Sequence, residues 1–127
     1  MNEYDILDDA PAPDATEFPN VAVFVEEFLA PTYRRDVTGS RAWRCPRWWS
    51  HAEAISRLEA LWRAWEFARL DPHTGMSNWW PACDQTMNAL MSPGGTFRKC
   101  SGGTHTQMPA LAIERPPAAL FGEQGDE

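Results

Sequence analysis

Apolar residues recur at helical spacing in three stretches of the chain. Val21, Phe24, Val25, Phe28 and Leu29 share one face of a helix that Asn20 is placed to cap. Pro31 lacks an amide hydrogen and its ring crowds the preceding turn, so this helix is expected to stop or kink near Ala30. The clearest element follows. Ser50-His51-Ala52-Glu53 has the form of a capping box, in which serine accepts from the amide of Glu53 and the glutamate reaches back. Ile55, Leu58, Leu61, Trp62, Trp65 and Ala68 then lie on one face, Arg57, Glu59, Arg63 and Glu66 on the others, and Asp71-Pro72 ends the helix. A third stripe, Trp80, Cys83, Met87, Leu90 and Met91, predicts a helix capped by Ser77. Pro81 would sit in its first turn, where a missing amide hydrogen costs little, or the helix restarts at Asp84; Ser92-Pro93-Gly94-Gly95 stops it.

Between and beyond these helices the pattern is irregular. Residues 32–49 are dense in Arg and Trp, and residues 96–109 form a loop with Cys100, Gly102, Gly103 and His105. Leu111 and Ile113 suggest one short strand or an extended packing segment, and no internal repeat is present. The expected fold is mainly α: a small three-helix domain around a Trp-rich core, with a C-terminal irregular loop that a metal would pin.

The 127 residues suffice for one domain, and seven tryptophans among 43% apolar residues can dominate its core. Charge changes the picture of the ends. The net charge is −7, yet the first 19 residues carry −6 and the last six −3, so the middle is near neutral. Residues 1–17 read as a disordered acidic arm, 18–113 as the domain and 114–127 as a disordered tail. A sharper reading of the arm has Tyr4, Ile6 and Leu7, set among acids, docking on a basic partner surface. The acidic start has no basic n-region or apolar h-region, no apolar run approaches a bilayer span, and three cysteines do not make a disulfide framework. A cytoplasmic location and no membrane partner are expected.

Three stretches carry a resemblance: Trp43-Arg44-Cys45-Pro46-Arg47-Trp48-Trp49-Ser50-His51, Arg57 through Glu66 (Arg-Leu-Glu-Ala-Leu-Trp-Arg-Ala-Trp-Glu), and Gly75-Met76-Ser77-Asn78-Trp79-Trp80. Together with Phe28 through Arg35 upstream, they resemble the actinobacterial family of domain of unknown function 4913, over roughly residues 18–105. The resemblance implies an actinobacterial or phage setting, often near mobile elements, and no known activity. It also implies His at position 83, where this chain has Cys.

Cys45, Cys83, Cys100 and His105 are the candidate metal ligands, a Cys3His set suited to structural zinc. Cys100 and His105 are separated by four residues in a Gly-rich loop that can wrap a metal, and Cys for His at position 83 is an exchange a zinc ligand tolerates. His51, separated from Cys45 by five residues, is the alternative ligand, although the first position of a helix favours exposure or capping. Against the metal stands a plainer reading, that Cys45 and Cys83 are small buried apolar residues and His105 a surface residue.

Arg34, Arg35, Arg44, Arg47 and Trp48 are the candidate anchors for nucleic acid or a protein partner, guanidinium for phosphate and indole for stacking. The competing reading puts the tryptophans in the core and pairs the arginines with Glu53, Glu59 and Glu66. A Cys100–His105 nucleophile pair lacks a local catalytic signature, and no Walker or dinucleotide loop is present. The expectation is a non-catalytic protein-interaction module or accessory factor of a mobile element or phage, with an unidentified protein partner. Nucleic-acid binding through residues 34–49 and a small Cys/His enzyme are the alternatives.

Overall fold

The computed structural model describes residues 15–122, and within them the chain forms three main helices and no strand, in line with the mainly α expectation. Helix α1 runs continuously through Val21–Phe24, Val25–Leu29 and Ala30–Thr32. Asn20 caps it, its Oδ1 accepting from the Val23 amide at 2.9 Å. The helix passes through Pro31 instead of stopping at Ala30. Its middle, Val25–Leu29, is a π turn in which the Ala30 amide donates to Val25, five residues back. The wider turn makes room for the proline ring and removes the need for the bond that Pro31 cannot give. Phe24, Val25 and Leu29 are buried, with Val21 and Phe28 packed beside them.

Helix α2, Ala52–Ala68, has His51 and not Ser50 at its N-cap position, and the His51 side chain makes no capping hydrogen bond. Ser50 is taken up by a 3-10 turn, Trp48–Ser50, so the capping box does not form. Glu53 instead accepts from Arg57 Nε at 2.9 Å, a bond that holds its carboxyl below the usual range. The buried face carries Ala54, Leu58, Leu61, Trp62 and Trp65. Ile55 departs from the expectation: it lies about 100° round the helix from Ala54 and is left exposed in the first turn.

Glu66 was expected on an outer face and is buried instead. Its carboxylate accepts from the amides of Glu17 and Phe18 at 2.8 and 2.9 Å, from Trp62 Nε1 at 3.0 Å and from Arg69 Nε at 2.8 Å. Burial alone would raise its pKa, but the two amides, Arg69 and Trp62 together outweigh it and hold the group below the ordinary glutamate range. Glu66 thereby fastens the incoming chain to α2. Of the expected acidic arm, residues 1–14 lie outside the described residues, while Glu17 belongs to this clamp.

Helix α3, Gly75–Met91, has Thr74 at its cap position, three residues before the expected cap at Ser77. Asp71 causes this. Its carboxylate accepts from the amides of His73 and Thr74 and from the Thr74 hydroxyl, at 2.9, 3.3 and 2.9 Å, and so turns the chain back at once. Gly75 then passes so close to α2 that an added Cβ would lie 1.9 Å from the Ala68 carbonyl oxygen. The early start places Pro81 in the helix interior, not the first turn, and the helix runs on through Asp84 without a restart. Its deepest tryptophan is Trp79, where Trp80 was expected; the Trp79 indole donates to the Leu61 carbonyl at 3.1 Å and locks α3 to α2. Trp80 is half-buried and stacks on Tyr33.

Aromatic rings fill the space between α1, α2 and the chain that precedes them. Trp65 meets Phe18, Phe24 and Phe28 at centroid separations of 5.3, 5.6 and 5.0 Å. The C-terminal stretch does not join this core. Leu111 and Ile113 form neither a strand nor a packed segment and are exposed, and no sheet edge exists among the described residues for them to extend. Within the expected disordered tail, residues 114–122 are described and include a 3-10 turn, Ala118–Phe121; residues 123–127 lie outside the described part. No described helix is long and apolar enough to cross a membrane.

Two predictions test this architecture. Gly75→Ala forces backbone against backbone at the α2–α3 turn and should lower unfolding free energy by about 2 kcal/mol or more, read by chemical denaturation. Glu66 has a folded pKa below its unfolded value, so its contribution is complete above about pH 4.5 and fades as pH falls through the lower, folded value. Glu66→Gln should therefore lose stability at neutral pH, by about 1–3 kcal/mol, while the difference from wild type shrinks at acid pH; equal loss at all pH values would refute the clamp.

Candidate metal centre

Four side chains from two irregular segments meet beside the helices. The first segment delivers Cys45 and His51. Between them the backbone tightens into the 3-10 turn, with the amides of Ser50 and His51 donating to Arg47 and Trp48 carbonyls at 2.8 and 3.0 Å. This turn brings Cys45 back toward the cap of α2. The second segment delivers Cys100 and His105. Ser101 and Thr104 exchange backbone hydrogen bonds of 3.1 and 2.7 Å, and Gly102 and Gly103 between them have φ of 56° and 79°. Both values suit a two-residue reversal that favours glycine, and the reversal sets Cys100 and His105 side by side.

The ligand atoms of Cys45, His51, Cys100 and His105 all lie within 4.8 Å of one another, close enough to hold a metal ion. Cys45 Sγ is 3.4 Å from His105 Nδ1, and Cys100 Sγ is 3.5 Å from His51 Nε2 and 3.8 Å from His105 Nδ1. Both cysteines and His51 are buried and His105 is half-buried. Phe97 holds His51 in place, ring centroid to ring centroid 5.1 Å, and the two imidazoles meet edge to face at 4.5 Å.

Further contacts aim these groups. The Thr106 amide donates to Cys100 Sγ at 3.3 Å. His105 Nε2 donates to Gln107 Oε1 at 3.1 Å, which leaves its Nδ1 lone pair directed at the cluster. Electrostatics favour the neutral forms of Cys45 and His51. Burial raises the Cys45 thiol pKa against a lowering by the Arg47 amide, and the neighbouring Cys100 raises it further. Burial, then the proximity of His105, lowers that of His51. For His51 the neutral imidazole is the ligating form, and a bound cation would offset the upward push on the Cys45 thiol.

Three of the four ligands expected from the sequence, Cys45, Cys100 and His105, are thus brought together, and the fourth is His51 in place of Cys83. Cys83 lies on the buried face of α3, and burial, with Asp84 beside it, pushes its thiol to about 12. It is a core residue facing a different part of the interior. The overlooked signal is symmetry of spacing. Cys45 and His51, like Cys100 and His105, form a local Cys/His pair that one tight turn can close.

The other candidate residues separate. Arg44 donates to the carbonyls of Gly39, Ser40 and Arg98 at 2.9, 3.2 and 2.8 Å and ties the two irregular segments together. Trp48 is buried. Arg47 lies over the exposed Trp49 ring at 5.1 Å. Arg34 donates to the Pro31 carbonyl, and Arg35 covers the Tyr33 ring. None of these arginines pairs with Glu53, Glu59 or Glu66, whose partners are Arg57, Arg63 and Arg69. Arg34 and Arg35 instead rim a groove of about 400 Å³ whose floor and walls include Val25, Leu29, Tyr33, Trp43, Trp48 and Met91.

A family model described as domain of unknown function (DUF4913) matches residues 18–118, and the chain belongs to that family. No curated protein matches the chain. No solved structure matches it.

The Arg44 contacts make a prediction. Arg44→Ala should lower stability by about 1 kcal/mol or more by releasing the two loops, whereas Arg47→Ala, an exposed change, should stay within about 0.5 kcal/mol of wild type. Denaturant titration of the two variants compares them, and equal effects would remove Arg44 from this role.

Proposed function

We propose that this member of the family is a non-catalytic interaction module whose irregular segments are pinned by one structural zinc ion. The observation that carries the reading is the set of sulfur–nitrogen separations, 3.4, 3.5 and 3.8 Å. A tetrahedral zinc ion with bonds of about 2.3 Å to sulfur and about 2.0 Å to nitrogen holds such ligands about 3.6 Å apart. Charge supports the same assignment: two thiolates balance a divalent cation and two imidazoles remain neutral, so the buried centre carries no net charge.

Four protein ligands fill a tetrahedral shell and leave no open position for a substrate, which is the pattern of a structural site. Cys100 then serves as a ligand and is not a free nucleophile, which speaks against the small-enzyme alternative. The binding face is the groove between α1 and the segment 43–48, where aromatic walls and an arginine rim supply the residue types that dominate interfaces. In the actinobacterial or phage setting that the resemblance implies, such a module acts as an accessory factor that holds a protein partner. Nucleic-acid binding fits less well, because Arg44 and Trp48 are committed within the fold.

The test is metal content of untagged protein by elemental mass spectrometry. Near one zinc per chain is expected, lost in Cys45→Ala, His51→Ala, Cys100→Ala and His105→Ala and retained in Cys83→Ala. Folded protein without metal, or zinc that depends on Cys83 and not on His51, would overturn the assignment.

A further inference from the structure

Two surface features fit one another and neither takes part in the metal cluster. The first is the groove: Val25, Leu29 and Met91 line it with the aromatic side chains of Tyr33, Trp43 and Trp48, and Arg34, Arg35 and Glu26 bring charge to it. The second is the stretch that leaves the metal cluster after Gln107. Residues 109–117 are free of helix and strand, and Pro109, Pro116 and Pro117 favour an extended course. Leu111 and Ile113 on this stretch are 88% and 83% exposed, unusually high values for large aliphatic side chains close together in a chain. No residue of the stretch lines the groove of its own chain.

Extended, proline-rich segments dock in grooves walled by aromatic rings, where their low conformational freedom limits the entropy lost on binding. The charges match in both senses. Adjacent Glu114 and Arg115 on the stretch can meet Arg34 or Arg35 and Glu26 of the groove. Every copy of the chain carries one such donor and one such acceptor.

We propose that two copies exchange these segments, residues 109–117 of each lying in the groove of the other. The exchange rests on the reading of the groove as the binding face of the module. It is reciprocal, so two copies satisfy both donors and both acceptors, and assembly closes with two-fold symmetry.

Sedimentation velocity of the full, metal-loaded chain over about 1–100 μM reads the self-association directly. A dimer is expected. Leu111→Asp with Ile113→Asp removes the donor, and Val37→Asp, at an exposed residue lining the groove, blocks the acceptor. Each variant should weaken dimerisation tenfold or more with helix content and zinc unchanged. A mixture of the two should form a heterodimer, because the donor of one and the acceptor of the other remain intact. A wild-type monomer with one zinc bound would overturn the exchange and leave the zinc centre standing. A dimer indifferent to both variants would overturn it as well. So would nuclear Overhauser contacts between Leu111 and Trp43 within a monomer, which would place the segment in its own groove.

Discussion

The convergence of Cys45, His51, Cys100 and His105 is the constraint on which the irregular half of the molecule depends. Helices α2 and α3 hold each other through the Trp79 indole and the close pass at Gly75, and α1 is held by aromatic packing. The segments 33–47 and 92–107 have less of their own. Their cross-links to the helical frame and to each other include the Ala42 amide on the Met91 carbonyl, the Thr96 and Phe97 amides on Ala89 and Leu90, and the Arg44 side chain on Arg98. A domain this small buries too little apolar surface to order long irregular stretches by packing alone. Two local Cys/His pairs, one from each segment, turn two separate loops into one closed unit.

The acidic clamp at Glu66 solves the matching problem at the other end. Residues 16–20, just before α1, form no helix or strand to satisfy their amides, and Glu66 supplies two acceptor oxygens to the amides of Glu17 and Phe18 while Trp62 donates to it and Arg69 balances its charge. This fixes Phe18 against Trp65 and so completes the aromatic cluster. A buried carboxylate with that many donors is stable as the anion despite its burial.

The sequence revealed what repeats along a helix and concealed what depends on distant partners. The stripes through Phe24, Leu58, Trp65, Cys83 and Leu90 were legible because a packed helix face recurs every three or four residues. Glu66 was misread because its place on α2 is ordinary and only Phe18, 48 residues away, makes it internal. Near Pro31 the helix runs two residues past Ala30, to Thr32, and the distortion before the proline takes the form of a π turn, which leaves no mark in the composition. The choice between Trp79 and Trp80 turned on a start three residues early, set by the Asp71 turn. At the centre, Cys100 and His105 are legible through the glycine pair between them, while His51 is legible only as the alternative ligand, because the first position of a helix favours exposure. Its burial comes from Phe97, which no local pattern brings near.

Metal centre and groove share a backbone. The run Trp43-Arg44-Cys45-Pro46-Arg47-Trp48 places Cys45 in the cluster and Trp43, Pro46 and Trp48 in the groove wall. No regular element holds this run, so the position of the wall is set by what holds Cys45, by the 3-10 turn that leads to His51 and by Arg44. The second segment shows the same continuity: His105 belongs to the cluster, and the exposed stretch with Leu111 and Ile113 leaves the fold four residues later. A cluster that fixes both the wall of the groove and the root of the extended segment does more than stabilise. It sets the relative placement of the groove wall and the exposed segment, which explains why its four residues lie in or at the ends of the irregular segments and not within the helices that need no such help.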